Sequence, residues 1–327
     1  MKLVVNIPAF NEADKIGETI GRIKQSFSAD FYSSDLGKII TEKLIQVVDD
    51  GSTDNTAVKA HEAGVDLIVS YKPNRRLAYS FKRAVENSLE NGADLMVNID
   101  ADGQFDPEDI PKLLTPILEG NFDMVIANRF GHIEAKNIPW IRNFLNRFAA
   151  KMVSYFLNYK TEDLTCGFRA LNRETLMRLS LTNLDFTYTQ ETIIDAIGKN
   201  LKLKWVPIKV TYFPNRKPKI TKSIVRFVGN GFKIIMRAVR DVRPMKFFGI
   251  PGLIIVLSSL VVFAIFLTFY FQNFEITPYR NYIFLSVILF LVGLQFIVFA
   301  LIADMIKSNR KLTEDLMYQM KKEKYRK

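Results

Sequence analysis

The chain has 327 residues, 48% of them hydrophobic and 24% charged, a composition that excludes a disordered or low-complexity protein. Its single cysteine excludes a disulfide framework and a cysteine-based zinc cluster, and only two histidines argue against a histidine-rich metal site. The formal charge is +11, but residues 215–246 hold ten Lys and Arg against one acid, and residues 304–327 hold eight against four. These blocks carry +9 and +4, so the remainder is slightly acidic, unlike a nucleic-acid-binding surface.

The first two hundred residues alternate strand and helix patterns, which predicts an α/β domain with a mostly parallel sheet. Strands are predicted at residues 3–8, 44–49, 66–71, 94–100 and 123–128, and helices at 12–26, from about 54, and at 77–89. Ligands of such sheets bind at the carboxyl ends of the strands. Acids lie at the ends of two of these strands: Asp49 and Asp100 end them, and Asp50 and Asp102 come just after. Arg129 follows another strand. This edge of the sheet is therefore the candidate site.

The segment Asp100–Gln104 carries the central prediction. In an extended backbone alternate residues point to one side, so Asp100, Asp102 and Gln104 would offer three oxygen ligands to one divalent cation. Mg²⁺ or Mn²⁺ holding a substrate diphosphate suits such ligands. An EF-hand is excluded because the glycine is fourth rather than sixth and Pro111 takes the twelfth place. Asp-x-Asp alone is also compatible with an ordinary turn, so the interpretation depends on the neighbouring strand ends.

Residues 222–246 predict a basic amphipathic helix. One stripe of this helix collects Lys222, Arg226, Lys233, Arg237 and Arg240, and apolar residues fall on the opposite side. Such a helix would lie on the membrane surface against anionic headgroups, and a helix packed on the soluble domain is the alternative.

Two uncharged segments follow, residues 247–271 and 281–303. A bilayer core of about 30 Å needs about 20 apolar helical residues, so each segment can span it. Lys and Arg dominate both outer flanks, which predicts a hairpin with both ends in the cytoplasm. Residues 1–10 enter a strand pattern directly and do not resemble a signal peptide. The expected organisation is a catalytic domain (1–221), a juxtamembrane segment (222–246), a transmembrane hairpin (247–306) and a basic cytoplasmic tail (307–327).

Together these motifs resemble family-2 glycosyltransferases of the GT-A fold, especially the membrane-anchored polyprenyl-phosphate sugar transferases that include dolichol-phosphate mannose synthase. The resemblance covers roughly residues 1–225 in order. It implies a Rossmann-like, mostly parallel domain that moves a sugar from a GDP- or UDP-linked donor to a polyprenyl phosphate, with inversion and with Mg²⁺ or Mn²⁺ as cofactor. It also implies an integral membrane protein whose catalytic domain lies at the cytoplasmic face of a prokaryotic plasma membrane.

The resemblance implies roles for individual residues. The donor would be bound by Pro8, Phe10, Glu12, Val48, Asp50, Asp100, Ala101, Asp102, Gln104, Arg129, Arg216 and Lys222. The metal would be held by Asp100, Asp102 and Gln104, and the catalytic residues would be Asp100, Asp102 and Arg129. The acceptor phosphate would be bound by Arg129, Arg142 and Asn146. Residues 163–169 resemble the family's Thr-Ser-Gly-Phe-Arg stretch.

Several positions depart from the family pattern. Phe10 replaces the usual tyrosine, so it can stack on a base but cannot offer a phenol hydrogen bond. Arg76 and Ala78 stand where glycines often occur, and Lys219 and Thr221 alter the loop that closes over the donor. These departures leave the donor sugar open and do not alter the reaction type.

Two other functions fit parts of the sequence. A processive polysaccharide synthase would share the amino-terminal motifs but carry a Gln-x-x-Arg-Trp motif, which is absent, and more membrane spans. A catalytically inactive membrane scaffold could retain nucleotide-sugar binding, but the intact acidic motif and Arg129 argue against it.

Cys166 is expected to be a core residue rather than a nucleophile, and Asp49 to make structural turn bonds. Hairpins of this kind can pack between subunits, so the sequence also allows a homo-oligomer.

Overall fold

The structure is a computed structural model that describes residues 1–28, 31, 34–130, 140–180, 188–210, 236 and 239–326, with residues 140–145 described by their backbone alone. It divides into two units. The first comprises Met1–Ile235 and Leu316–Lys327, and the second comprises Met236–Asp315. Most of the predicted juxtamembrane helix, 222–246, lies outside the described residues and stays a prediction.

A seven-stranded sheet forms the centre of the first unit. Its strands are β1 (Lys2–Ala9), β2 (Glu42–Asp49), β3 (Leu67–Ser70), β4 (Leu95–Asn98), β5 (Met124–Asn128), β6 (Arg169–Asn172) and β7 (Leu203–Pro207). Their order across the sheet is β3-β2-β1-β4-β6-β5-β7, and β6 runs antiparallel to both of its neighbours while the other pairs are parallel. The predicted α/β class and mostly parallel sheet are confirmed.

Helices cover the sheet. Those of the first unit are α1 (Ile16–Ser26), α2 (Asp35–Ile39), α3 (Thr56–Glu62), α4 (Arg76–Glu90), α5 (Ile110–Leu118), α6 (Trp140–Leu157), α7 (Arg173–Arg178) and α8 (Tyr188–Gly198). The central strand β1 is buried along seven of its eight residues, as expected for a strand with both faces covered. Amphipathic helices supply that cover: α4, for example, buries Phe81, Ala84 and Leu89 and exposes its charged side.

The five predicted strands match β1 to β5 within a few residues, but β6 and β7 were not predicted. Both are short, and neither has a continuous apolar run, because β6 begins with Arg169 and ends with Asn172, and β7 contains Lys204. Tertiary pairing rather than local pattern makes them strands. The first helix begins at Ile16 rather than at residue 12, because residues 13–15 form a turn.

The end of the chain belongs to the first unit. The structure shows residues 307–324, expected as part of a basic tail, as the continuation of a long helix, α10 (Arg280–Lys324). Its last turns pack on α7: the Tyr318 hydroxyl donates to the Glu174 carboxylate at 2.9 Å, and the Arg178 guanidinium lies 4.5 Å from the centre of the Tyr318 ring. The Lys321 ammonium donates to the Leu179 carbonyl at 3.1 Å.

The second unit contains α9 (Ile250–Asn273) and the first part of α10. Both helices are long and apolar enough to cross a membrane. The buried residues are Gly252, Ser259 and Phe266 in α9, and Ser286, Gly293 and Ala300 in α10. Each set repeats every seven residues, the spacing that keeps one seam of a helix facing its partner. Small side chains along such a seam let helix backbones approach closely in a membrane.

Replacing Gly293 with alanine is expected to loosen the helix pair. A Cβ atom at this position would lie 2.7 Å from Cγ2 and 2.9 Å from the backbone nitrogen of Val256, so the helices would have to separate. Overpacking of this kind costs about 1–3 kcal/mol. Gly249→Ala is the matched control, because its Cβ would make ordinary 3.7 Å contacts with Ala300 and Met245. Thermal unfolding in detergent should show a lower midpoint for Gly293→Ala alone, and equal midpoints would contradict this packing.

Candidate active site

The carboxyl ends of β1, β2, β4 and β5 form one edge of the sheet, as predicted. Pro8 and Val48 pair across β1 and β2, and their side chains are buried, so they support this edge from within the sheet. Phe10 follows β1 and is 39% exposed, which suits stacking on a planar ligand. The Glu12 backbone N–H donates to the Thr56 hydroxyl at 2.9 Å and ties this segment to the start of α3.

Two acids lie at the carboxyl end of β2, Asp49 as its last residue and Asp50 just after it, and they make different contacts. Asp49 accepts hydrogen bonds from the backbone N–H and the hydroxyl of Ser52, which confirms its expected structural role in the turn. Asp50 accepts from the backbone N–H of Arg75 at 2.7 Å, and burial raises the pKa of its carboxyl. The loop after β3 is pressed against this turn, since a Cβ at Gly51 would lie 2.9 Å from the Tyr71 carbonyl oxygen. The base- and ribose-binding role expected for Asp50 stays a prediction.

Arg76 stands at one of the positions that depart from the family pattern, and its backbone conformation shows how the departure is accommodated. It starts α4 with φ of 72°, in the left-handed region that favours glycine. The backbone therefore keeps the conformation that a glycine would adopt at this position, although the side chain is a bulky cation. The Asn74 side chain accepts from the Arg76 backbone N–H at 3.1 Å and helps to fix this conformation.

The Asp100–Gln104 segment is a turn, so the extended backbone expected from the sequence is wrong. β4 ends at Asn98, and the Asp102 carboxylate accepts a hydrogen bond from the Gln104 backbone N–H at 3.0 Å. Gly103 adopts φ of 72°. An aspartate bonding to the backbone two residues ahead, together with a left-handed glycine, favours a turn over continuation of the strand.

The Asp100 carboxylate lies close to the backbone of Gly167, two residues before the antiparallel strand β6. A Cβ at Gly167 would be 3.0 and 3.1 Å from the two Asp100 carboxylate oxygens, so a larger residue there would displace them by a few tenths of an ångström. Burial and the neighbouring Asp102 carboxylate raise the pKa of Asp100 to about 7, while Arg129 and Arg169 act in the opposite direction. Positive charge placed beside these two carboxylates would favour their ionised forms.

A divalent cation fits this donor set. Among the residues that the structure describes, no group of three or more His, Cys, Asp and Glu could hold a metal ion. The candidate set has two carboxylates and one amide, Asp100, Asp102 and Gln104. Mg²⁺ is commonly bound through one or two carboxylates with waters and substrate phosphates completing its shell, so the chemistry of this smaller set is suitable, and the metal-binding role of these residues stays a prediction.

Arg129 is held in a buried ion pair. Its Nε and Nη2 atoms donate to the two Asp163 carboxylate oxygens at 2.7 and 3.0 Å, and Nη2 also donates to the Thr165 hydroxyl. Arg129 is 7% exposed and Asp163 is 0% exposed. Burial alone would raise the pKa of Asp163, but the Arg129 guanidinium holds it below its usual range. The predicted contacts of Arg129 with donor and acceptor phosphates stay predictions. Its partner, Asp163, was assigned no role from the sequence.

Asn146 lies beside the same segment. Its Nδ2 atom donates to the Glu162 carbonyl oxygen at 3.3 Å, and its buried Oδ1 atom accepts no hydrogen bond within the described part of the chain. The structure thus brings Asn146 next to the Arg129–Asp163 pair. The Arg142 side chain, Arg216 and Lys222 lie outside the described residues, so the roles expected for them stay predictions.

A second buried arginine was not assigned from the sequence. Arg169 is 0% exposed, and it donates to the Thr192 hydroxyl at 2.6 Å and to the Cys166 carbonyl oxygen. An arginine opening a buried strand is the signal that could have identified it, because buried charges require partners. Cys166 is also fully buried, and burial raises the pKa of its thiol to about 12, which confirms it as a core residue.

The model of the family described as "Glycosyl transferase family 2" matches residues 4–180, more than half of the chain. The chain belongs to this family. Glycosyltransferase AglJ from Haloferax volcanii is 26% identical over 75% of this chain and 74% of its own length. Polyprenol monophosphomannose synthase from Mycolicibacterium smegmatis is 27% identical over 69% and 83%, and dolichol-phosphate mannosyltransferase from Pyrococcus furiosus is 28% identical over 78% and 70%.

A crystal structure of glucosyl-3-phosphoglycerate synthase from Mycobacterium tuberculosis, in complex with Mn²⁺, UDP and glucosyl-3-phosphoglycerate, matches with a TM-score of 0.54 at 19% identity. The match covers 74% of this chain and 80% of that one. At this identity the likeness shows the fold alone, and together with the family match it confirms the GT-A-like domain. The protein is a glycosyltransferase with polyprenyl-phosphate sugar transferases among its relatives.

Gly167→Ala is expected to weaken binding of a divalent cation. The new methyl group would press on both Asp100 carboxylate oxygens and move them by a few tenths of an ångström. Changes to groups that support a metal ligand typically reduce metal affinity about 10- to 100-fold, and we expect a loss near the lower end. Electron paramagnetic resonance titration with Mn²⁺ measures this affinity. Gly21→Ala, where a Cβ would meet nothing within 4 Å, is the control, and equal affinities in the two variants would contradict the contact.

Proposed function

We propose that the protein transfers a sugar from a GDP- or UDP-linked donor to a polyprenyl phosphate at the cytoplasmic face of a prokaryotic plasma membrane. The observation that carries this proposal is that one family-2 chain contains both an acidic turn suited to a divalent cation and two helices of membrane-spanning length. Relatives named polyprenol monophosphomannose synthase and dolichol-phosphate mannosyltransferase support the acceptor class. The excess of Lys and Arg on both flanks of the hairpin supports the cytoplasmic orientation.

The reaction requires little acid–base catalysis from the protein. A phosphate monoester oxygen of the acceptor is ionised near neutral pH, so it can attack the anomeric carbon without a general base. As that bond forms, the bond from the anomeric carbon to the donor diphosphate breaks, and a single displacement inverts the anomeric centre. The two polyanions must be brought together, and oriented binding at the membrane surface lowers the entropic barrier to doing so.

The proposed residues divide between these tasks. A bound Mg²⁺ or Mn²⁺ would supply positive charge to the departing diphosphate, and Asp100, Asp102 and Gln104 would hold it. Arg129, oriented by Asp163, adds fixed positive charge beside the same site. The remaining donor contacts that we propose are Pro8, Phe10, Glu12, Val48, Asp50, Ala101, Arg216 and Lys222. Arg142 and Asn146 would bind the acceptor phosphate together with Arg129.

The test is a transfer assay with the purified full chain in lipid nanodiscs that contain polyprenyl phosphate. Radiolabelled GDP- and UDP-sugars are supplied one at a time with Mn²⁺, and the lipid fraction is analysed. We expect one donor to give a glycolipid carrying a single sugar. A polymeric product would indicate a processive synthase instead, and nucleotide-sugar binding without transfer to lipid would indicate an inactive binding protein.

Asp102→Asn is expected to abolish transfer and leave the fold intact. Removing one carboxylate weakens cation binding, and since even supporting residues cost about 10- to 100-fold, a direct ligand should cost at least about 100-fold in rate. Asp106→Asn is the matched control: Asp106 lies in the same loop, pairs with Arg22 at the surface, and caps a short helical turn that asparagine can also cap. Full activity of Asp102→Asn in excess chelator would contradict the metal-dependent mechanism.

Arg142 separates acceptor binding from donor binding. Arginine can offer two parallel donors to a phosphate, whereas lysine keeps only the charge. We therefore expect Arg142→Ala to raise the apparent KM for polyprenyl phosphate about 10- to 150-fold, corresponding to about 1.5–3 kcal/mol, and Arg142→Lys to raise it less. The KM for the nucleotide sugar should scarcely change. A higher donor KM with an unchanged lipid KM would place Arg142 at the donor.

A further inference from the structure

Four polar residues form a row across the middle of the sheet. Gln46 on β2 pairs directly with Asn6 on β1, Asn6 with Asn98 on β4, and Asn98 with Arg169 on β6. Residues directly opposite one another on neighbouring strands place their side chains on the same face. All four are 0% exposed. We call Gln46, Asn6, Asn98 and Arg169 the polar row.

Hydrogen bonds connect the three amides of the polar row to one another. The Gln46 Nε2 atom donates to Asn6 Oδ1 at 2.8 Å, and Asn6 Nδ2 donates to Asn98 Oδ1 at 2.7 Å. At the end away from the candidate site, the Asn87 side chain of α4 donates to Gln46 Oε1 at 2.7 Å. The three amides therefore belong to one continuous chain of side-chain hydrogen bonds that begins on a helix and crosses three strands, and Arg169 lies beside its last member, Asn98.

The other end of this chain holds the backbone beside Asp100. Asn98 Nδ2 donates to the Gly167 carbonyl oxygen at 3.0 Å, and Arg169 donates to the carbonyl oxygen of Cys166. Two neighbouring members of the row thus bind two consecutive carbonyls. Gly167 is the residue whose Cα faces the Asp100 carboxylate, since a Cβ there would lie 3.0 Å from it. The row ends one contact away from the candidate metal ligand.

Central strands of a parallel sheet are normally apolar on both faces, because burying amides and a guanidinium there costs free energy unless each is hydrogen-bonded. β1 and β4 otherwise follow this rule: their neighbours Val5, Ile7 and Val97 are fully buried apolar residues. The polar row departs from this rule at the middle of the sheet, and its hydrogen bonds lead to the site.

We propose that the polar row is a positioning device for Asp100. Asn98 holds the Gly167 carbonyl and Arg169 holds the Cys166 carbonyl, and the Gly167 backbone in turn fixes the Asp100 carboxylate in the orientation that binds a divalent cation. The residues of the row act through Gly167 and touch no substrate, so they are positioning rather than catalytic residues. This inference rests on the proposed function for the cation site itself.

The test compares variants at the two ends of the hydrogen-bond chain. Asn98→Ala removes the amide that binds Gly167, and Asn87→Ala removes the amide at the far end. Each variant leaves one amide of the chain without its partner, so both should lower the thermal unfolding midpoint of the full-length protein. We expect only Asn98→Ala to raise the Kd for Mn²⁺, by about 10-fold, as is typical of residues that support a metal ligand. Electron paramagnetic resonance with Mn²⁺ alone measures the Kd.

A role limited to folding would give equal Mn²⁺ affinities in the two variants, and that result would overturn the proposal. The double variant Asn6→Val with Asn98→Val keeps the test decisive if Asn98→Ala does not fold. Replacing both partners of a buried hydrogen bond by apolar groups of similar shape can be nearly neutral for stability. It still removes the bond to Gly167, so a folded double variant should show the same loss of Mn²⁺ affinity, and a wild-type Kd would overturn the proposal.

The Mn²⁺ titration is independent of sugar and lipid, so it separates this inference from the proposed function. Wild-type protein that binds Mn²⁺ but transfers no sugar to polyprenyl phosphate would contradict the proposed function, while the comparison of Asn98→Ala with Asn87→Ala would still decide the inference. Wild-type protein that binds no Mn²⁺ would overturn the positioning role directly.

Discussion

The Asp100 carboxylate rests against the Cα atom of Gly167, and the candidate site is organised around this contact. It joins the turn after β4 to the segment that leads into the antiparallel strand β6. The contact also confines a carboxylate beside a second one, Asp102, with burial as the larger cause of the raised pKa of Asp100. Positive charge placed near such a carboxylate favours its ionised form.

The charges around this contact explain what the site can bind. Arg129 and Arg169 both oppose the charges of Asp100 and Asp102, and Asp163 pairs with Arg129 in a buried two-point ion pair. This group of five ionisable residues therefore sums to −1 when all are charged. A divalent cation reverses the sign to +1. A site with that charge suits a nucleoside diphosphate, which explains why an acidic turn can serve a polyanionic substrate.

Much of this arrangement could be predicted from local sequence. Strands β1 to β5 are rich in apolar residues, and the acids at their ends were correctly placed on one edge of the sheet. The reason given for Asp100, Asp102 and Gln104 was wrong, because alternation along a strand does not apply in a turn. Asp163 and Arg169 were harder to assign, since their partners lie 34 and 23 residues away and meet them only when β6 enters the sheet. Short antiparallel strands of mixed polarity carry little local signal.

The proposed reaction requires this turn to bind a cation and the donor diphosphate together. The most direct measurement is phosphorus-31 electron–nuclear double resonance of Mn²⁺ in the purified protein with GDP or UDP, after unbound nucleotide is removed. We expect Mn²⁺ to stay with the wild-type protein and to show coupling to the diphosphate phosphorus nuclei, and we expect Asp102→Asn to retain far less Mn²⁺. An Asp102→Asn variant that retains Mn²⁺ with the same phosphorus coupling would contradict the claim.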